Sequence, residues 1–140
     1  IDVSGVYTVN VTSKTNACAF PNWEEGKTFS GIELTITQQD QNITATIGGG
    51  IGAYVQLVLG SSTFSGTVSG DQVNATNFGT NTATQNGCAY STNMVIDGKL
   101  AGDALQGVLE YTPQTNGSPD CGVLNDCKAL QEFAGIRPPK

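Results

Sequence analysis

The chain contains no histidine. That excludes Ser-His-Asp and Cys-His nucleophilic systems, His-bearing zinc sites and the commonest near-neutral proton shuttle. Four cysteines remain, Cys18, Cys88, Cys121 and Cys127, without metal-like spacing. An even count of this kind reads as disulfides, and hence as an oxidising compartment. Of the three possible pairings, closeness in sequence favours Cys121 with Cys127, which leaves Cys18 with Cys88.

With the thiols committed, carboxylates are the catalytic groups left. Glu33 and Glu110 are the two acids a glycosidase would require, yet both fall on the Thr-rich polar face of alternating segments and read as solvated. Glu24 and Glu25 are adjacent in a loop. Asp120, Asn125 and Asp126 offer oxygens to Ca²⁺ but lack the alternate-position spacing of a calcium loop, and helix capping accounts for them. Gly48-Gly49-Gly50-Ile51-Gly52 lacks the Lys and following helix of a phosphate loop, and reads as a bend, bulge or mobile lip. No cofactor, no metal and no catalysis are expected. Four Asn-x-Ser/Thr sequons, at Asn10, Asn42, Asn74 and Asn116, are acceptors only if the source glycosylates.

The strongest recognition element is the segment Ser13–Lys27. It places Phe20, Pro21 and Trp23 in a connector that would not need large apolar groups merely to be solvated. Stapled by Cys18, such a segment forms either a lid over an apolar ligand or a plug of ordinary core.

The elements that must position it alternate with period two. Gly66–Val73 is echoed by Gly98–Leu105, each a strand running into a Gly-Asp turn and out again. Alternation also marks residues 3–12, 32–37, 43–47, 55–59, 94–100 and 105–111, giving about eight strands joined mostly by short turns. Helical periodicity occurs once, over 123–133, within a disulfide-stapled C-terminal helix expected at 120–134. One all-β domain over 1–140 follows. An antiparallel up-and-down barrel is the first choice, because closure removes exposed edges, and a two-sheet sandwich is the alternative.

Only 13% of residues are charged and the net charge is −6, which disfavours nucleic acid and anionic membrane as partners. No apolar run approaches the ~20 residues of a membrane span, so no membrane insertion is expected. The chain opens at Ile1 without an initiator Met, as if a signal peptide had been removed or the chain cut there. A secreted or cell-surface protein, extracellular or periplasmic, is the expected setting.

Gly5-Val6-Tyr7 on the first strand resembles the Gly-x-Trp motif of the lipocalin-like (calycin) barrels, with Tyr in the Trp position. Arg137 falls where a member of that family would set an Arg against that aromatic. The family's second motif, a Thr-Asp pair before an aromatic, is absent. The resemblance, strongest to small secreted bacterial forms, implies a barrel that holds a small hydrophobic molecule. Tyr7, Leu34, Leu57, Met94, Leu109 and Tyr111 would line it, with Phe20 and Trp23 at its entrance. Inward glycines (Gly5, Gly66, Gly98, Gly107) would leave room. The competing expectation is a structural subunit of an extracellular filament or surface assembly, whose partners are copies of itself, joined by donation of the N-terminal strand.

Overall fold

The computed structural model describes residues 1–140. Nine strands form in chain order: β1 (Gly5–Asn16), β2 (Thr28–Gln39), β3 (Asn42–Ile47), β4 (Thr63–Ser69), β5 (Gln72–Asn77), β6 (Ala83–Gln85), β7 (Cys88–Ala101), β8 (Ala104–Gln114) and β9 (Ala129–Ile136). All pairings are antiparallel, running β5-β4-β3-β2-β1-β9-β8-β7, and β5 pairs with β7 to close the ring. Eight strands therefore make a closed barrel, and β6 only extends β7 beyond it. The architecture is calycin-like, and the barrel rather than the sandwich is what forms. β1 is paired on both sides, and each of the eight barrel strands has two neighbours.

The two echoed hairpins are real. Ser69 pairs with Gln72 across Gly70-Asp71, and Ala101 pairs with Ala104 across Gly102-Asp103. Both glycines take positive φ (+58° and +62°), the backbone that a two-residue turn demands and a side chain resists. These turns and Asp40-Gln41 gather at one end of the barrel, which the terminal segments close.

Strand alternation sends one face of every strand inward, and 22 buried apolar residues make one continuous core. Tyr7, Ile36, Phe64, Met94, Ile96 and Leu105 are fully enclosed. Each such side chain contributes about 1.5–3 kcal/mol relative to exposure. A second, smaller cluster of Cys18, Cys88, Tyr90, Cys121 and Leu124 sits at the other end.

Three sequence expectations are corrected. Residues 55–59 are not a strand: they belong to a helix, α1 (Gly49–Leu59), which begins in the glycine run read as a bend or lip. Ile51, Val55 and Leu59 recur at helical spacing and turn to the core, while Leu57 stands 74% exposed on the outer face and does not line the barrel.

Residues 120–134 are not a helix. Pro119–Asn125 forms short 3-10 turns capped by Ser118, and 129–136 is the strand β9 that closes the barrel between β1 and β8. Ala129, Gln131 and Phe133 are buried and alternate with Glu132 and Ala134 outside, a period-two pattern overlaid on the helical one. Two otherwise open strand edges decide between them.

The disulfides join Cys18 to Cys127 and Cys88 to Cys121, not Cys121 to Cys127 and Cys18 to Cys88. The pairing of β1 with β9 carries past Asn16–Ala129, with Ala17 N donating to the Lys128 carbonyl, and so delivers Cys18 to Cys127. Both bridges are intramolecular, compatible with an extracellular or periplasmic protein.

Candidate functional site

The barrel has a closed end and a mouth. At the closed end Val3 is buried as a plug, and the Tyr7 hydroxyl donates to its carbonyl at 2.7 Å. Arg137 lies over the Tyr7 ring, 5.7 Å from its centroid. Tyr7 thus belongs to the closure of the barrel rather than to its opening.

Above this end the interior keeps a small void of about 20 Å³, lined only by apolar side chains: Val9, Val11, Ile32, Leu34, Ile47, Ile96, Leu109 and Phe133. Such a space holds one water-sized group and offers water no polar partner. Leu34 and Leu109, expected as lining residues, are on its wall. Met94 is buried in the same core without bordering the void.

α1 covers the mouth. It touches β2, β3 and β7, and β2 and β7 stand opposite each other in the eight-strand ring, so the helix spans the opening. It buries Val55 and Leu59 into the core and half-buries Ile51. Its two ends are held differently. At the C-terminus the Leu59 carbonyl accepts from Thr80 N (2.6 Å) and Asn81 N (3.1 Å), and the Leu57 carbonyl accepts from Asn81 Nδ2 (2.9 Å). At the N-terminus no side chain caps the helix; the Gly48 N–H donates to the Glu33 carbonyl at 2.8 Å, and Gly49 and Gly50 form the first turn.

Beside that uncapped end a cleft of about 480 Å³ opens to solvent between Ser30–Glu33 of β2 and Gly48–Ile51. Ile32 borders both the cleft and the void.

The remaining mouth is aromatic and polar. Trp23 meets Tyr111 edge-on at 5.6 Å, with its Nε1 donating to the Lys14 carbonyl at 3.0 Å. Phe20 is elsewhere: it stacks on Tyr90 at 6.1 Å, packed against the disulfide cluster. Tyr111 donates its hydroxyl to Gln131 Oε1, and Gln131 Nε2 donates to Ser13 Oγ at 3.1 Å. Burial pushes the Tyr111 phenol well above its ordinary value and keeps it protonated.

The structure therefore brings Trp23 together with Tyr111 and Leu34 together with Leu109, and separates Tyr7, Phe20 and Leu57 from them. Sequence reasoning missed Gln131, Ser13 and the lid residues Ile51, Val55 and Leu59. Only the i, i+4, i+8 spacing of those last three offered a signal.

The acidic residues weighed for catalysis lie on the outer surface. Glu110 pairs with Lys128 at 3.3 Å. Glu33 stands against Gly48 at the N-terminus of α1, where a carboxylate complements the helix dipole. Glu24 pairs loosely with Lys27 at 3.9 Å. Asp120, Asn125 and Asp126 belong to the 3-10 turns, where Asn125 Nδ2 donates to the Ser118 carbonyl. The four sequon asparagines are all exposed.

No protein-family model, curated protein or solved structure matches the chain.

Proposed function

We propose that the protein is a secreted, non-catalytic carrier that holds a small hydrophobic molecule inside a lipocalin-like barrel, with α1 as the lid over the ligand. The observation that carries this reading is the conjunction of three features. An all-apolar void lies in a closed barrel, a helix without a side-chain N-cap lies across the barrel's opening, and Ile32 borders both that void and a solvent-open cleft.

Val55 and Leu59 pack into the core, and the apolar void below has room for a water-sized group. Pivoting α1 about its Leu59–Asn81 end lifts Ile51 and Val55 away from the mouth and widens the cleft that Ile51 and Ile32 line. The space vacated is apolar and suits a hydrocarbon or ring system. The position of Arg137 over Tyr7 supports the lipocalin resemblance, since that family sets a basic side chain against the aromatic of its first strand.

The reading is tested by fluorescence titration with N-phenylnaphthylamine, an uncharged apolar probe. One probe is expected per chain, and Leu109→Phe, which fills the void, is expected to weaken uptake about ten-fold or more at an overpacking cost of about 1–3 kcal/mol. Uptake unchanged in a folded Leu109→Phe variant contradicts an interior site.

A further inference from the structure

Just above the void, the β1–β9–β8 side of the barrel is polar, while Met94 on β7 keeps the layer apolar next to it. On three neighbouring strands the residue two positions mouthward of a void-lining side chain carries a hydrogen-bonding group. Ser13 follows Val11 on β1, Gln131 precedes Phe133 on β9, and Tyr111 follows Leu109 on β8. Ser13 and Gln131 are buried, and the three are joined in the order Tyr111 to Gln131 to Ser13. Burying polar groups costs free energy that another apolar layer would avoid. After their mutual bonds, the Ser13 hydroxyl proton and the second Gln131 N–H remain as donors, and the Tyr111 oxygen remains as an acceptor.

Charge is kept out of this layer. Arg137 is the one buried charged residue, and it lies at the opposite end, committed to Asp103, the Asp2 carbonyl and the Ser4 carbonyl. The cations near the mouth are exposed and face glutamates: Lys14 lies 3.8 Å from Glu132, Lys27 3.9 Å from Glu24 and Lys128 3.3 Å from Glu110. An ionised head drawn into the layer would lose its hydration and meet no counter-charge.

We infer that the ligand is a neutral amphiphile, with its apolar body in the void and an alcohol, amide or ester head hydrogen-bonded by Ser13, Gln131 and Tyr111, and that ionised fatty acids are rejected. This rests on the carrier reading. A neutral head can accept from Ser13 and Gln131, and an alcohol or N–H amide can also donate to Tyr111, so it replaces the hydrogen bonds it gives up to water. A carboxylate replaces only part of its solvation and adds its charge to a protein already at −6.

The test is displacement of bound N-phenylnaphthylamine by dodecanol, methyl dodecanoate and dodecanoate, at a pH where the acid is ionised. Dodecanol and the ester are expected to compete at concentrations about ten-fold or more below the carboxylate, the discrimination expected for an unpaired buried charge. Gln131→Leu is expected to weaken dodecanol about five-fold relative to the probe, as for one lost hydrogen bond. Tyr111→Phe serves as the second variant, since it keeps the ring against Trp23 and removes only the hydroxyl.

Dodecanoate competing as well as dodecanol overturns the head assignment and leaves the carrier reading standing. So does a dodecanol affinity that neither variant changes. A wild-type protein that takes up no probe overturns both.

Discussion

Arg137 and Tyr7, 130 positions apart in the chain, form one unit at the closed end of the barrel. The guanidinium lies 5.7 Å from the centre of the Tyr7 ring and donates to Asp103 Oδ1 (3.0 Å), the Asp2 carbonyl (2.9 Å) and the Ser4 carbonyl (2.7 Å). The Tyr7 hydroxyl reaches the Val3 carbonyl. Between them they hold the N-terminal segment against the barrel floor, so that Val3 plugs it.

Removing the guanidinium unties the floor. Arg137→Met leaves three acceptors without their donor and abolishes the stacking on Tyr7, at a cost of about 2–4 kcal/mol. Tyr7→Phe loses one hydrogen bond to a carbonyl, at about 1 kcal/mol. Urea unfolding of the two variants is expected to rank them in that order, and equal costs would argue against Arg137 as the organising group.

The lid is addressed by two neighbouring glycines with opposite surroundings. A Cβ at Gly52 would sit 2.1 Å from the Ile47 carbonyl oxygen, so Gly52→Ala lifts α1 off β3. A Cβ at Gly50 meets nothing within 4 Å, so Gly50→Ala only favours the helix, by about 0.5–1 kcal/mol. Stopped-flow mixing with N-phenylnaphthylamine is expected to show faster association for Gly52→Ala and slower association for Gly50→Ala. Identical rates in both would show that α1 does not gate access.

The disulfides stake out the mouth. Cys18–Cys127 closes a separation of 109 residues and Cys88–Cys121 one of 33, which loop-closure entropy values at about 5 and about 4 kcal/mol. Peptide mapping without reduction is expected to yield these two links and neither a Cys18–Cys88 nor a Cys121–Cys127 link. Replacing Cys18 and Cys127 together by Ala is expected to lower Tm more than replacing Cys88 and Cys121, and to release the segment that carries Trp23.

Ionisation bounds the stable range from both sides. Burial raises the phenols of Tyr7, Tyr90 and Tyr111 above their ordinary value near 10. Below about pH 10 these groups are protonated in both states. As pH climbs through the raised values, the unfolded chain releases protons that the folded chain retains, and stability falls. On the acid side, hydrogen bonds from the Ser4 hydroxyl and from Lys140 hold the exposed Asp2 carboxyl below the usual carboxylate range. Its contribution is present above the ordinary carboxylate pKa and is lost as pH falls through the lowered value. Phenolate absorbance against pH is expected to show a late titration step that shrinks in Tyr111→Phe.

Much of the barrel was legible because β-hairpins are written locally. Turn residues sit between alternating arms, as at Gly70-Asp71 and Gly102-Asp103. The count of eight barrel strands was also legible, although one of the eight was misplaced. Residues 55–59 satisfy both periods at once, since Val55, Leu57 and Leu59 alternate while Ile51, Val55 and Leu59 recur every fourth residue. In so short an apolar run periodicity alone cannot choose. For 129–136 the choice was tertiary: the strand forms because β1 and β8 each present an edge to it. The site suffered most from that error, since Gln131 becomes a mouth residue only once β9 is a strand. Ser13 was read as the start of a loop, whereas β1 continues to Asn16.

The most direct test is native mass spectrometry of the unreduced protein purified from its natural source without detergent. The expected result is the 14.5 kDa chain carrying one neutral molecule of roughly a few hundred daltons, released when the chain unfolds. A chain at its bare mass in every charge state, or a ladder of multiples of that bare mass, would contradict the carrier reading.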